Sequence, residues 1–243
     1  MSTELIPVLG LPEVREGDDL AELIGQEADL RLGDIVVVAQ KIVSKAEGQV
    51  RELSAVTAGP RALKLGAQLR RDPRFVELVL RESRTLIRDS PVLIVETHHG
   101  FVCANAGIDR SNVEGDETVV LLPRDCDASA DRLRTGLRGL TGIDAAVIVS
   151  DTFGRAWRMG LSNVALGVSG LPALVDHRGR PDDFGQEMVS TVIAVADEIA
   201  AATELVMGKN LRIPVAIVRG LEVPGEPGTG RDLMRPYGED LFR

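Results

Sequence analysis

The sequence predicts an α+β fold, in which strands and helices are mixed rather than arranged as a regular βαβ repeat. Short apolar runs that suit buried strands alternate with segments of helical periodicity, and a hairpin signal at residues 92–103 interrupts the alternation. The length of 243 residues suits one domain or a pair of tightly joined subdomains. Because 44% of the residues are hydrophobic but only 3% are aromatic, the core is expected to consist mainly of Val, Leu, Ile and Ala.

The first third of the chain contains four predicted elements. A helix begins at Asp18 or Asp19, whose carboxylate can cap the periodic segment that follows. The apolar run Ile35–Ala39 is short enough to be a buried strand. Pro60 and Pro73 each stand where the first turn of a helix can start, and they predict two short helices.

The hairpin at 92–103 opens the second part of the chain and carries His98 and His99 in its turn. Adjacent side chains on extended chain point in opposite directions, so a solvent-facing turn is favoured over a metal site. The remaining elements are a strand at 118–122, a helix from 127 to 142, strands at 145–149 and 163–168, the longest helix at 184–207, and a last strand at 215–218.

Composition excludes several classes of function. The net charge of −9 and the shortage of aromatic rings argue against binding to nucleic acid or to anionic membranes. No run of eighteen apolar residues occurs and the N-terminus lacks the features of a signal peptide, so a cytoplasmic location is expected. Cys103 and Cys126 lack the spacing of a disulfide framework or zinc site, and we interpret both as ordinary small residues.

The polar stretch Gln40–Gly48, which we expect to be a loop, is the first candidate for phosphate binding. Only four of the 28 basic residues are lysines, and two of them, Lys41 and Lys45, fall within this stretch. A lysine ammonium suits a phosphate oxygen, and the neighbouring Ser44 adds a hydrogen-bond donor. A charged, solvated surface loop is the alternative interpretation.

Two further clusters, at 105–112 and 151–158, combine a carboxylate with amide or hydroxyl oxygens and a glycine. Such oxygens suit Mg²⁺ or Mn²⁺, so Asp109 and Asp151 can share a nucleotide-bound metal if the fold brings them together. Arg155 would then offset phosphate charge. The same residues also make sense as turn-forming residues and caps, and this alternative stays open on the motifs alone.

Six segments of the sequence, in the same order, carry a family resemblance. They are residues 11–12 with 16–20, IVSKAEG at 42–48, NAGIDRSN at 105–112, SDTFGR at 150–155, ADEIA at 196–200 and PVAIVRGL at 214–221. In these segments the chain resembles the coenzyme F-420 γ-glutamyl ligase family, including the N-terminal ligase domain of its actinobacterial bifunctional form. IVSKAEG and NAGIDRSN are long enough to make a chance match improbable.

The resemblance implies an α+β fold of two intimate subdomains that assembles as an interlocked homodimer. Residues 1–221 would form the ligase domain and residues 222–243 a Pro/Gly-rich C-terminal tail. The implied reaction attaches L-glutamate through an amide bond to the deazaflavin precursor F-420-0. It uses GTP and Mg²⁺ or Mn²⁺, and a monovalent cation such as K⁺ is a further candidate cofactor.

Matching positions carry over the family's functional residues. The resemblance assigns metal coordination to Asp109, Asp151 and Thr152, and GTP contacts to Leu11, Pro12, Glu13, Val14, Gln40, Lys41, Lys45 and Asn112. We add Ser44 and Arg155 as phosphate contacts, and expect the catalytic residues to be Lys45, Asp109 and Asp151. One position departs from the family: archaeal members have a carboxylate or amide near the end of the long helix, where this chain has Lys209, and an ammonium cannot bind a cation.

The expected mechanism passes through an acyl phosphate. The free carboxylate of the precursor's lactyl group attacks the γ-phosphate of GTP, and the α-amine of glutamate then displaces phosphate. Two alternatives use the same residue types. One is a metal-dependent nucleotide phosphohydrolase that activates water, and the other is a module that binds nucleotide or deazaflavin without turnover.

Overall fold

The computed structural model describes residues 2–110 and 115–240, and in these ranges it confirms the α+β class. The helices are α1 (Leu20–Glu27), α2 (Gln40–Ala46), α3 (Pro60–Leu69), α4 (Pro73–Arg81), α5 (Cys126–Thr141) and α6 (Val195–Met207). The strands are β1 (Glu4–Pro7), β2 (Ile35–Ala39), β3 (Val50–Glu52), β4 (Ser83–Arg88), β5 (Ile94–Thr97), β6 (Val102–Ala104), β7 (Thr118–Val120), β8 (Ala146–Gly154), β9 (Leu161–Ser169), β10 (Val175–Asp176), β11 (Val192–Ile193) and β12 (Val215–Arg219).

A five-stranded sheet with the order β1-β12-β2-β8-β9 forms the centre of the molecule. Its central pair, β2 and β8, is parallel, whereas the other neighbouring pairs are antiparallel. The register places Ile35 opposite Ala146 and Ala39 opposite Ser150. Because the two central strands run in the same direction, the residues that follow Ala39 and Ser150 emerge at the same edge of the sheet.

Helices cover both faces of this sheet. Val36 and Val38 pack with residues of α1 and α5 on one face, and Ile35 and Val37 pack with residues of α6 on the other. A strand covered on both faces needs apolar residues at every position, rather than at alternate ones. The uninterrupted apolar run of β2 follows from this double burial.

A separate apolar cluster lies beside the main sheet. It is built around α3 and α4, and includes Phe75, Val79, Leu93, Val95 and Val119. Two small antiparallel sheets, β4-β5-β6 and β3-β7, belong to this region. The separate cluster is compatible with two intimate subdomains, but the boundary between subdomains, the limit at residue 221 and the homodimer all stay predictions.

The prediction of a loop at Gln40–Gly48 is wrong, because the first seven residues of this stretch form α2. Ile42 and Val43 pack into the main core, while Gln40 and Ser44 lie four residues apart and hydrogen-bond to each other. The buried side of this helix is therefore partly polar. That polarity hides the helical period from a hydrophobic pattern.

The predicted helix at Phe184–Met207 is also wrong in its first half. The chain up to Ile193 forms turns and the β10-β11 hairpin, and α6 begins only at Val195. Gly185 has a φ of +81°, which a right-handed helix cannot accommodate. The longest described helix is instead α5, with 16 residues. It ends at Gly142 as its sequence predicts, but its N-terminal cap is Asp125, two residues before the predicted start at Asp127.

Other local predictions are confirmed. The side chain of Asp19 caps α1, and Pro60 and Pro73 open α3 and α4. The hairpin is formed by β5 and β6, and β4 adds a third strand that the sequence pattern missed. Ring nitrogens of His98 and His99 lie 2.8 Å from the backbone carbonyl oxygens of Arg81 and Pro123, respectively.

The C-terminal tail packs against the body of the protein. Gly230 donates its N–H to the Asp127 carboxylate at the start of α5 (2.6 Å), and Gly228 donates to the Leu171 carbonyl (3.0 Å). Cys103 and Cys126 are buried free thiols, as expected for ordinary small residues. Within the described residues, none of the helices combines the length and apolar character needed to cross a bilayer.

A buried ion pair ties the start of β2 to the end of β12. The carboxylate of Asp34, whose side chain is 1% exposed, accepts from Nε and Nη2 of Arg219 at 2.9 and 2.8 Å. We expect Asp34→Asn to lower the free energy of unfolding by about 2–3 kcal/mol, because it removes the charge that pairs with the Arg219 guanidinium, which keeps its hydrogen bond to the Asp29 carbonyl. Asp29→Asn, which removes an exposed pair with Arg31, should cost at most about 0.5 kcal/mol. Urea titration checks both, and equal losses would contradict this account.

Candidate functional site

A cavity of about 650 Å³ lies at the edge of the main sheet where β2 and β8 run side by side. Within the described residues, five parts of the chain line it: the segment 11–14, α2, Asp109, the middle of the β8-β9 pair, and the end of α6 with the segment that follows. The parallel pairing of β2 with β8 explains the position, because it brings the segments after Ala39 and Ser150 together.

Ten of the thirteen predicted site residues line this cavity. They are Leu11, Pro12, Glu13, Val14, Gln40, Lys41, Lys45, Asp109, Asp151 and Thr152. Ser44 is fully buried beneath Gln40, outside the lining, and Arg155 is an exposed residue that donates to the Met159 carbonyl. Asn112 lies outside the described residues. The roles of these thirteen residues stay predictions.

Helix α2 presents two lysines to the cavity. Lys41 and Lys45 are four residues apart, so they lie on the same side of the helix. Gln40 holds the helix in place through two hydrogen bonds. Its Nε2 donates to Ser44 Oγ (2.8 Å) and to the carbonyl oxygen of Leu121 (3.1 Å). Ser44 therefore contributes to the site indirectly, by accepting a hydrogen bond that holds the side chain of Gln40. Gln40 in turn connects α2 to the segment after β7.

Asp109 follows Ile108, a residue of the separate apolar cluster around α3 and α4. Reciprocal backbone hydrogen bonds with Val120 hold it at the end of β7, and its Oδ2 lies 2.7 Å from Lys41 Nζ. Asp151 lies on β8, where burial raises its pKa to about 6. The negative charge of Asp109 also raises this pKa, whereas Lys209 and Lys41 lower it. The two carboxylates are therefore near enough for the charge of Asp109 to act on Asp151.

The donor set fits a magnesium or manganese ion. Asp109 and Asp151 offer carboxylate oxygens and Thr152 a hydroxyl, and such hard oxygens are the ligands that these ions prefer. Two mutually repelling carboxylates also gain from a cation between them. In addition, Ser150 Oγ is buried and has no hydrogen-bond partner among the described residues. Water and phosphate would complete the shell, because the described residues show no larger cluster of metal-binding side chains.

Sequence reasoning missed a chain of polar side chains beside Asp151. Thr152 Oγ1 donates to Asn163 Oδ1 (2.8 Å), and Asn163 Nδ2 donates to Glu204 Oε2 (3.0 Å). Glu204 lies on α6 and lines the cavity, so a carboxylate near the end of this helix is present even though Lys209 also lines it. The available signal was a single acidic residue before Met207 at the end of an apolar helix.

A second missed feature is Arg212, on the segment after α6. Its Nη2 lies 3.5 Å from Glu13 Oε2, while Lys45 Nζ lies 2.5 Å from Glu13 Oε1. The hydrogen bond from Lys45 lowers the pKa of Glu13, and the charge of Arg212 lowers it further. Arg212 could not be recognised from the sequence, because it is one of many arginines and lies in an irregular segment.

Charges of both signs line the cavity in equal number among the described residues. The cations are Lys41, Lys45, Lys209 and Arg212, and the carboxylates are Glu13, Asp109, Asp151 and Glu204. A lining of this kind suits a polyanion that arrives with a divalent cation, since the basic groups contact the anion and the acidic groups contact the metal.

Known proteins resemble this chain along nearly its whole length. The sequence profile of the family described as "F420-0:Gamma-glutamyl ligase" matches residues 9–220. A protein of Archaeoglobus fulgidus named "Coenzyme F420:L-glutamate ligase" is 44% identical, over 100% of this chain and 97% of its own length. Proteins of the same name from Methanothermobacter thermautotrophicus and Methanocaldococcus jannaschii are 45% and 41% identical, over 100% and 97% of this chain and 100% and 95% of their own lengths. The chain therefore belongs to the F420-0:gamma-glutamyl ligase family.

Proposed function

We propose that this chain is a GTP-dependent ligase that joins L-glutamate to the deazaflavin precursor F-420-0, in the biosynthesis of coenzyme F-420. The observation that carries the proposal is the meeting of Lys41, Lys45, Asp109 and Asp151 in one cavity. Such a cavity suits a nucleotide triphosphate with its metal. We infer the identity of the substrates from the names of the full-length relatives and from the family resemblance.

In this proposal the lysines of α2 contact the phosphates of GTP. Asp109 and Asp151, with Thr152, hold a Mg²⁺ or Mn²⁺ ion, which supplies neutralisation of phosphate charge when bound. Gln40 holds α2 in place by its hydrogen bond to the Leu121 carbonyl. Nothing in the cavity distinguishes a site for K⁺, which stays a candidate cofactor from the resemblance alone.

The proposed chemistry has two steps. A carboxylate oxygen of F-420-0 attacks the γ-phosphorus of GTP, the bond to the β-phosphate oxygen breaks, and GDP leaves. The amine of glutamate then attacks the acyl carbon, loses a proton, and phosphate leaves with the electrons of the C–O bond. Both steps depend on placement and charge stabilisation, so a covalent protein nucleophile is not required. Lys45, Asp109 and Asp151 are the proposed catalytic residues.

We also propose that the protein is a homodimer, as the resemblance implies. Large apolar side chains are exposed on the β8-β9 connection and on the segment before β11, among them Trp157, Met159, Phe184 and Val189. Where such side chains form one contiguous patch, the patch is typical of surfaces that bind another protein. Light scattering should give twice the chain mass of 26.1 kDa, and a mass of one chain at working concentration would contradict this proposal.

The proposed activity is tested by mass spectrometry after incubation with F-420-0, L-glutamate, GTP and Mn²⁺. We expect GDP and a glutamylated product, with GDP formation dependent on F-420-0. Absence of both products would contradict the proposed function. Release of GDP at the same rate without F-420-0 and glutamate would instead indicate a phosphohydrolase.

Asn substitutions test the two cavity carboxylates. Asp109→Asn and Asp151→Asn keep the size of the side chain but remove a charge, so we expect turnover to fall roughly a hundredfold or more. Melting temperatures should change little, and added Mn²⁺ should restore only part of the rate. Asp144→Asn, which removes a carboxylate paired with Arg134 outside the cavity, is the matched control and should keep its rate. A near-normal rate at low metal in either cavity variant would refute the metal assignment of that aspartate.

A further inference from the structure

The carboxylate of Glu13 bridges two cations of the cavity. One of its oxygens lies 2.5 Å from Lys45 Nζ, and the other lies 3.5 Å from Arg212 Nη2. The three residues belong to three different parts of the chain: the irregular segment after β1, helix α2, and the segment after α6. The Glu13 carboxylate thus connects its own segment both to α2 and to the segment after α6, and all three line the cavity.

The three partners differ in their freedom to move. The Lys45 side chain is only 11% exposed and extends from a helix that packs into the main core. Glu13 is 56% exposed and Arg212 is 87% exposed, and both lie in irregular segments. Rotation of the Glu13 side chain into water is therefore the smallest change that separates the bridge.

A buried ammonium needs a negative charge nearby, because burial without compensation is costly. Glu13 supplies that charge in the absence of a ligand. The low pKa of Glu13, caused first by the hydrogen bond from Lys45 and then by nearby positive charge, keeps it ionised at neutral pH. An anionic oxygen held between an ammonium and a guanidinium is also the arrangement that these two groups offer to phosphate.

We propose that Glu13 is the counter-anion of the ligand-free site, and that a phosphate group of the nucleotide displaces its carboxylate from Lys45 and Arg212. This inference rests on the proposed function, because it takes the nucleotide to be the ligand of the cavity. It assigns to the Glu13 side chain a role that competes with the nucleotide, whereas the backbone of residues 11–14 remains free to contact it.

Competition of this kind lowers the apparent affinity for phosphate-bearing ligands. Removal of the competing charge should therefore tighten binding of the nucleotide. From the usual strength of a partly exposed ion pair, we expect Glu13→Gln to lower the Kd for GTP by roughly two- to fivefold. A direct contact between the Glu13 carboxylate and the ligand would produce the opposite change, because its loss would weaken binding.

The test is calorimetric titration of the wild type, Glu13→Gln and Glu16→Gln with three probes in Mg²⁺ buffer. Glu16 is exposed on the same segment and lies outside the cavity lining, so its variant has the same change in net charge without the bridge. We expect Glu13→Gln to bind GTP and tripolyphosphate more tightly and guanosine with unchanged affinity. Glu16→Gln should match the wild type with all three probes.

Each other outcome overturns the inference. Unchanged or weaker binding of GTP and tripolyphosphate by Glu13→Gln would show that Glu13 does not compete with phosphate. Weaker binding of guanosine by Glu13→Gln would identify Glu13 as a contact of the nucleoside. If Glu16→Gln bound GTP and tripolyphosphate as tightly as Glu13→Gln, the change in net charge alone would explain the tighter binding. A wild-type protein that binds no GTP would instead contradict the proposed function itself, which separates the two failures.

Discussion

The parallel pairing of β2 with β8 is the constraint on which the site depends. It places Ala39 opposite Ser150, so that α2 starts at the sheet edge at which Asp151 follows on β8. The apolar residues of both strands are buried between helices on both faces of the sheet, and this double burial holds the two strands in place. The position of the lysines relative to Asp151 is therefore determined by the packing of the main sheet.

Among the described residues, Asp109 completes the site from the side of the apolar cluster around α3 and α4. Backbone hydrogen bonds to Val120 set the position of Asp109, and the side chain of Gln40 connects the neighbouring Leu121 to α2. These contacts bring a second carboxylate toward Asp151, which is unfavourable unless positive charge is near. Lys41, at 2.7 Å from Asp109, supplies part of that charge. The same arrangement leaves the carboxylates suited to a divalent cation.

The sequence was informative wherever local rules determine structure. Prolines, caps and apolar runs correctly predicted α1, α3, α4, α5 and the central strands, whereas the parallel pairing of β2 with β8 was not predicted. The sequence pattern was misleading where contacts between distant residues determine the structure. The polar side of α2 is buried against Leu121, and Ser44 serves Gln40 rather than the cavity. Glu204 was missed because its link to Asn163 joins residues that are 41 positions apart.

In the proposed mechanism, a phosphoryl group is transferred to a carboxylate in the cavity. An isotope measurement tests this transfer most directly. F-420-0 labelled with ¹⁸O in its free carboxylate is incubated with the protein, L-glutamate, GTP and Mn²⁺ in unlabelled water, and the released phosphate is analysed by mass spectrometry. We expect one ¹⁸O atom in each phosphate, because the bond between acyl carbon and oxygen breaks in the second step. Glutamylated product accompanied by phosphate without ¹⁸O would contradict the acyl-phosphate mechanism.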